Sequence, residues 1–536
     1  MATASRRVAV PRGLGSARRM DACAWGAIAL VAGFIAVTAW WLSIDRSVQY
    51  NDAGQHLYFA FGYHDALSKG TLFRAIGAPS FYPPGTYLLG GVATLVGGVN
   101  IATPILAQNL VYVPLLAAAC YQLGRMLAGP TAGLLAVLFA LGAPLIIEQF
   151  HVFMLDIPQT AFAAATVWLI LASGRFGRVG VAALAGVTMG LGIATKELAP
   201  VYVVGVVICV LARGGWRNWR GLLSFILVAL LVGTPWYVQQ VIAGYGSVIF
   251  DAAGGGRDVP PAAHPPLASL ANLAWYFWAT LDGLLFAPLF LFATAGVGAA
   301  VARVARTREE ADPTPELLCG LCGAWVLLTV MPHHDMRYTM GFVVFLAVLG
   351  TAWIVRLAPA PRTLAIVLLV GAIGAAHVGA TLGVGAETTR RLPGNRRAAY
   401  GEGVPPRGRV IVYSNNDYMV SRPHPHPDVL GLFTALRREG MTSIEWDDRV
   451  ERWDRHFADI GLLVFARVAN LAVIPEAART PALAQGQAAL IRAWTIGGAG
   501  PPCLRLADGS GVWAHIGTVQ QVPQPYCPAE LTQRVN

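Results

Sequence analysis

Pro83-Pro84-Gly85-Thr86-Tyr87-Leu88-Leu89-Gly90-Gly91-Val92-Ala93-Thr94-Leu95-Val96-Gly97-Gly98 is the stretch on which the topology turns. It is apolar, 16 residues long, and opened by a proline pair. A helix needs about 20 apolar residues to cross a hydrocarbon core of about 30 Å. Around it lie eleven clearer runs: Ala22–Ser43, Pro104–Leu123, Thr131–Ile147, Ile157–Ala172, Val179–Ala194, Leu198–Leu211, Leu222–Gln240, Trp275–Ala302, Leu317–Val330, Tyr338–Val355 and Thr363–Gly383. Suppose Pro83–Gly98 lies along the surface. The N-terminal tail and the cytoplasmic connections then hold 16 basic residues. The external connections hold six: Arg46, Lys69, Arg74, Lys196, Arg257 and Arg337. If the stretch crossed, every later arginine cluster would face the wrong side. The positive-inside rule therefore predicts eleven spans, a cytoplasmic N-terminus and an external C-terminus.

Composition agrees with a chain whose main solvent is lipid. Of 536 residues, 55% are hydrophobic and only 13% charged, and the mean hydropathy is +0.54. Soluble domains carry about 25% charged residues, so a cytosolic enzyme, a disordered chain and a fibrous protein are all excluded. The net charge is +10, but the basic residues sit between apolar runs, as membrane anchors do, and no nucleic-acid partner is expected. The first run follows Arg6, Arg7, Arg12, Arg18 and Arg19 and ends in Trp40-Trp41. It is longer than a signal-peptide core and reads as an uncleaved span.

After about Ala386 the charge becomes mixed and prolines are frequent. Val410–Tyr413 and Ile460–Phe465 have strand character, and Val429–Glu439 has helical spacing. The chain thus divides into a basic cytoplasmic tail (1–21), a transmembrane domain (22–385) and an external α/β domain (386–536). The fold class expected is an α-helical polytopic membrane protein with about eleven transmembrane helices. Interfacial helices in the first external loop and the small C-terminal α/β domain complete it. Cys503 and Cys527 could pair in an oxidising compartment or stay as free thiols. The other five cysteines lie in or beside apolar runs and read as packing residues. No internal repeat supports a transporter built from inverted halves.

With this topology the external connections hold ionisable residues at the membrane surface. The first contains Asp52 and His56, which share a face of a helix over Gly54–Ser68 by their i, i+4 spacing. Tyr58, Phe59, Phe61 and Tyr63 give that helix an apolar side suited to the interface. The second runs from Glu148 to Pro158, with Asp156 opening a span. The third carries Lys196 and Glu197, the fourth Asp251, Arg257, Asp258 and His264, and the fifth His333-His334-Asp335-Met336-Arg337-Tyr338. Taken singly, each has a bland reading: a solvated helix end, a local Lys196–Glu197 ion pair, adjacent histidines poorly placed to close one metal site. Jointly, carboxylates, a lysine and an arginine collect on one face. A channel or carrier would place them at mid-depth, where only Asp282 is found.

The order of these elements resembles the GT-C membrane glycosyltransferases, in particular the protein-mannosyltransferase and aminoarabinose-transferase-like branch. The resemblance rests on Asp52 after the first span, Phe81-Tyr82-Pro83-Pro84-Gly85-Thr86-Tyr87-Leu88, and Met154-Leu155-Asp156-Ile157-Pro158 opening a span. Thr195-Lys196 and His334-Asp335-Met336-Arg337-Tyr338 complete it. It covers about residues 20–385. The chain departs from the pattern in Ala53 after Asp52, in Tyr82 before the proline pair, and in lacking a proline after Arg337-Tyr338.

The resemblance implies transfer of a sugar, with inversion, from a polyprenyl-phosphate carrier on the non-cytoplasmic side. The acceptor would be a lipid, glycan or protein. It implies a multi-pass protein of the bacterial inner membrane, in contact with membrane lipids. Such a reaction needs a base for the acceptor hydroxyl and cations or fixed donors for the leaving phosphate. Asp52 is the candidate base. Asp156 would orient the acceptor or sugar, or hold a cation; a divalent ion between Asp52 and Asp156 is the one cofactor considered. Lys196 and Arg337 would bind phosphate, with a bidentate contact open to the guanidinium. His56, Tyr82, Glu197, His334 and Tyr338 would line the substrate pocket. A flippase or transporter of a lipid-linked substrate is the alternative class.

Overall fold

The computed structural model describes residues 21–44, 52–78, 80, 82–98, 102–246, 266–307, 312–331 and 334–382, and five short strands between 462 and 525. The helices, in chain order, are α1 (Ala22–Ile44), α2 (Asp52–Ser68), α3 (Leu72–Gly77), α4 (Gly85–Gly97), α5 (Ala102–Ala128) and α6 (Pro130–Leu141). They continue with α7 (Pro144–Phe150), α8 (Asp156–Ala172), α9 (Val179–Ile193), α10 (Val204–Ala212), α11 (Trp219–Gly233) and α12 (Pro235–Ile242). The last are α13 (Leu270–Ala279), α14 (Phe286–Arg306), α15 (Thr314–Val330), α16 (Phe342–Val355) and α17 (Pro359–Leu382).

Every one of the eleven apolar runs coincides with helix, but several are interrupted. Thr131–Ile147 breaks at Gly142-Ala143, where Pro144 restarts the chain as α7 at 65° to α6. Leu222–Gln240 breaks before Pro235, with a 49° bend between α11 and α12. A proline cannot complete the preceding ladder but fits the first turn of a new helix. Thr280–Leu285 is π-helical, and Phe286 beyond it has φ +59. By length and composition five helices can cross a membrane, or seven if each bent pair is one span. The helices over Gly85–Gly97, Asp156–Ala172, Val179–Ile193 and Thr314–Val330 are apolar but shorter.

The core sits between α5, α6, α8, α14, α15 and α16. Helix α16 is apolar all round and buried on nearly every face, as a central helix must be. A second cluster joins Leu57, Ala60, Phe61 and Tyr63 of α2 to Tyr87 of α4, Ile105 of α5, and Phe153 and Leu155 before α8. This changes the reading of α2. Its Phe61 and Tyr63 are buried against protein instead of facing lipid. The cause lies in Gly90 and Gly91, which let α4 approach so closely that a Cβ there would come within 2.8 Å of Ala60 and Tyr63.

In the C-terminal part the strands are β1 (Leu462–Phe465), β2 (Asn470–Ile474), β3 (Leu504–Arg505), β4 (Gly511–Ile516) and β5 (Gln524–Pro525). They form an antiparallel sheet in the order β1-β2-β4-β3, with β5 paired to β4. Strand β1 falls within the predicted Ile460–Phe465. Val410–Tyr413, Val429–Glu439, Cys503 and Cys527 lie outside the described residues.

Candidate active site

Helices α8 and α9 form an antiparallel hairpin, so the end of α9 returns to the start of α8. Asp156 occupies the first turn of α8, where a carboxylate suits the positive end of the helix dipole. Lys196 lies in the turn closing α9, with its backbone N–H on the Gly192 carbonyl at 3.0 Å. The two side chains meet 40 positions apart in sequence. Lys196 Nζ donates to Asp156 Oδ1 at 2.8 Å, with the side chains only 6% and 4% exposed. The local Lys196–Glu197 pair considered from sequence is therefore replaced by a tertiary one. Proximity in sequence gives no guide when a helix hairpin brings a better-placed acid.

Other elements close around this pair. Pro83-Pro84 turns the chain into α4, and Gly85 packs over the Ala194 carbonyl at the end of α9. Tyr82 is thereby brought to Lys196, whose Nζ lies 6.0 Å from its ring centre. On the other side the same ammonium lies 5.2 Å from the Tyr338 ring. Tyr338 belongs to the 3-10 turn Met336–Gly341, capped by Asp335 through the Arg337 N–H at 2.8 Å. Asp335 also accepts from Arg337 Nε at 3.0 Å and Nη2 at 2.6 Å. Arg337 is thus oriented by its own neighbour, with part of its surface exposed. Tyr202 donates to the Tyr338 carbonyl at 2.8 Å, and its ring packs against Gly341, where a Cβ would collide with it.

His56 is buried on α2, hydrogen-bonded through Nδ1 to the Tyr87 hydroxyl at 2.8 Å and edge-on to Tyr82 at 5.7 Å. Asp52 opens α2, one turn before His56; its side chain lies outside the described residues. Glu197 is half-buried, and burial raises its pKa against the opposing charge of Lys196. His334 sits in an aromatic box, stacked on Tyr276 at 5.3 Å and edge-on to Trp275 at 5.1 Å. His333 lies outside the described residues.

Of the residues singled out from sequence, the structure brings Tyr82, Asp156, Lys196 and Tyr338 together, with His56 beside Tyr82. Sequence reading misses Tyr87, Asp335, Tyr202 and Gln159. Gln159 lies three residues after Asp156 on the same helix, a signal that spacing alone could supply. Tyr202 has no such signal. Asn109 and Gln108, polar within the apolar α5, are also missed. They hold the backbone carbonyls of Phe150 and Val152 at 2.9 and 3.4 Å, fixing the approach to Asp156.

The site has unmet capacity. Asp156 Oδ2 and Gln159 Oε1 are buried and accept no hydrogen bond from any described residue. The divalent ion considered between Asp52 and Asp156 falls on a side chain, Asp52, that lies outside the described residues; among the described residues no three His, Cys, Asp or Glu side chains converge.

Residues 82–238 match the family described as dolichyl-phosphate-mannose-protein mannosyltransferase. The fold is similar to that of ArnT from Cupriavidus metallidurans bound to undecaprenyl phosphate, with a TM-score of 0.51 and 18% identity over 68% of this chain and 64% of that one. The apo form of the same protein gives a TM-score of 0.50 and 18% identity over 67% and 65%. The chain thus spans just under two thirds of the length of these structures. No curated protein sequence matches significantly.

Proposed function

We propose that this chain, a membrane protein with the GT-C glycosyltransferase fold, moves a sugar from a polyprenyl-phosphate carrier to an acceptor on the external face of the membrane. The observation that carries the reading is the buried Lys196–Asp156 pair, flanked by Tyr82 and Tyr338. A cation held in a water-poor site between aromatic rings, with Arg337 on the adjoining turn, suits a phosphate better than it suits solvent. The fold likeness to a structure bound to undecaprenyl phosphate supports the same donor class.

In the proposed reaction the acceptor hydroxyl attacks the anomeric carbon from the face opposite the phosphate. Its proton passes to the Asp52 carboxylate as the new carbon–oxygen bond forms. The bond from the anomeric carbon to the phosphate oxygen breaks, and its electron pair leaves on that oxygen. Lys196 and Arg337 stabilise the charge that develops there. Asp156 aims Lys196 through their 2.8 Å hydrogen bond. His56, Tyr82, Glu197, His334 and Tyr338 line the substrate pocket.

The proposed topology is eleven spans in residues 22–385. The tail 1–21 is cytoplasmic, α2–α4 are external, and the domain 386–536 faces outward from a bacterial inner membrane. The charge asymmetry between the two sets of connections, 16 basic residues against six, supports the non-crossing arrangement of α4. The test is the fate of radiolabelled polyprenyl-phosphate sugar in proteoliposomes holding the purified protein. Label transferred to an added acceptor extract is the expected result. Movement of the intact lipid between leaflets without transfer would replace the reading with a flippase.

A further inference from the structure

Five arginines on the face opposite the candidate site fall into two groups. Arg175, Arg213 and Arg303 turn inward. Glu316, at the start of α15, accepts from Arg175 Nε at 3.1 Å and from Arg213 Nη1 at 2.6 Å. Asp312 accepts from Arg303 Nε at 2.5 Å, and its carbonyl accepts from Arg213. Arg217 and Arg220 point outward on the strap Trp216-Arg217-Asn218-Trp219-Arg220, which runs from the 3-10 turn after α10 into the first turn of α11. All four large side chains are exposed, Trp216 by 60% and Trp219 by 59%. Each guanidinium lies over its neighbouring indole, at 5.5 Å for Arg217 on Trp216 and 5.6 Å for Arg220 on Trp219.

The strap's backbone is fixed although its side chains are not covered. Gly215 packs on the Val210 carbonyl, where a Cβ would come within 2.7 Å, and Gly221 packs so closely on the Phe176 carbonyl that a Cβ would collide. Between them Asn218 Nδ2 donates to the Arg175 carbonyl at 2.8 Å. Arg175 and Phe176 hold φ of 57 and 69, a left-handed conformation that residues with a Cβ adopt only at a cost. They are kept there by the Arg175–Glu316 pair and by the buried Phe176 ring. The fold thus maintains a strained loop that anchors the strap.

We infer that this strap is a binding site for anionic phospholipid headgroups, with Arg217 and Arg220 meeting lipid phosphate and Trp216 and Trp219 seated at the headgroup level. Indoles favour this zone because they are apolar in body and polar at one edge. An indole left in water would gain nothing from this exposure. The two unconsumed positive charges choose an anionic partner, and a pre-set backbone lowers the ordering cost of binding it. The inference does not depend on the transferase reading.

The test uses the full-length protein in detergent, titrated with phosphatidylglycerol or phosphatidylcholine and read by native mass spectrometry. Wild type should bind phosphatidylglycerol preferentially. Removing one arginine should lower that affinity about fivefold, following the usual strength of a basic residue near an anionic surface. Arg217→Gln/Arg220→Gln should then lose about 30-fold, and Trp216→Ala/Trp219→Ala should weaken both lipids. Lys69→Gln/Arg74→Gln removes two exposed charges from the other face and should leave the preference intact. An unchanged preference in Arg217→Gln/Arg220→Gln overturns the inference. So does an equal loss in Lys69→Gln/Arg74→Gln, which would trace the effect to net charge. If the arginine variant loses its fold, the tryptophan variant decides: unaltered lipid binding there also overturns the inference.

Discussion

The two ends of the helical domain each bury acids against basic side chains, yet they are built differently. At the proposed cytoplasmic end both Glu316 oxygens accept from arginine. Asp312 there takes Thr314 N–H and Oγ on one oxygen and Arg303 on the other. Those carboxylates are saturated. At the opposite end Asp156 uses one oxygen on Lys196 and leaves the other without a hydrogen bond among the described residues. Lys196 spends its remaining surface on aromatic faces. A saturated cluster resists change and ties loops together. A buried cluster with unused acceptors is costly unless something completes it, which is the physical mark of a binding site.

The sharpest way to break this contrast is Asp52→Asn. Loss of a general base costs about 10²–10⁴-fold in rate. Asn caps a helix as well as Asp does, so the variant should insert, fold and bind carrier lipid while transferring little sugar. Turnover within a few-fold of wild type, measured on correctly inserted protein, would remove Asp52 from the chemistry.

Next in size is the buried pair. Lys196→Met leaves the Asp156 charge uncompensated, and breaking such a pair costs about 3–5 kcal/mol of stability. Asp156→Asn/Lys196→Met removes both charges and should recover most of the thermal stability but none of the donor turnover. Recovery of both would make the pair structural, like its cytoplasmic counterpart.

Glu316→Gln probes that counterpart. Its carboxylate is 1% exposed, but Arg175 and Arg213 reach partly into solvent. The cost should therefore fall below the full buried-pair range, at about 1–3 kcal/mol. The melting temperature should drop while kcat per folded molecule stays within about twofold. A large fall in kcat would show that the two ends are coupled.

The smallest effect is a difference in pH sign. Burial raises Glu197, so its folded-state pKa lies above the unfolded value. Its contribution to stability is present at low pH and lost as pH rises. Asp312 runs the other way. Burial alone would raise it, but hydrogen bonds from Thr314 and Arg303 outweigh that and hold it below the usual carboxylate range. Its contribution is present above the unfolded value and lost as pH falls. Relative to wild type, Glu197→Gln should gain melting temperature as pH rises from about 4 to 7, and Asp312→Asn as it falls from about 5 to 2. Parallel curves would remove the distinction.

Much of this molecule is legible from its sequence. Apolar length located helix in each of the eleven runs, five to seven of them long and apolar enough to cross a membrane, because a helix satisfies its own backbone where water is scarce. The polar residues at helix ends pointed to segments that the fold brings together. Asp156, Lys196, Tyr82 and Tyr338 could be singled out because charge and aromatic side chains are rare in so apolar a chain. Tertiary structure alone decided how they meet. That Lys196 turns to Asp156 and not to Glu197 follows from the α8–α9 hairpin. That α2 hides Phe61 and Tyr63 follows from the glycine contact with α4, which no pattern within α2 records. Tyr202 joins the site through a carbonyl 136 positions away. Periodicity reports which face of a helix is apolar; which neighbour covers that face is settled only when close-packed helices select one arrangement of their side chains.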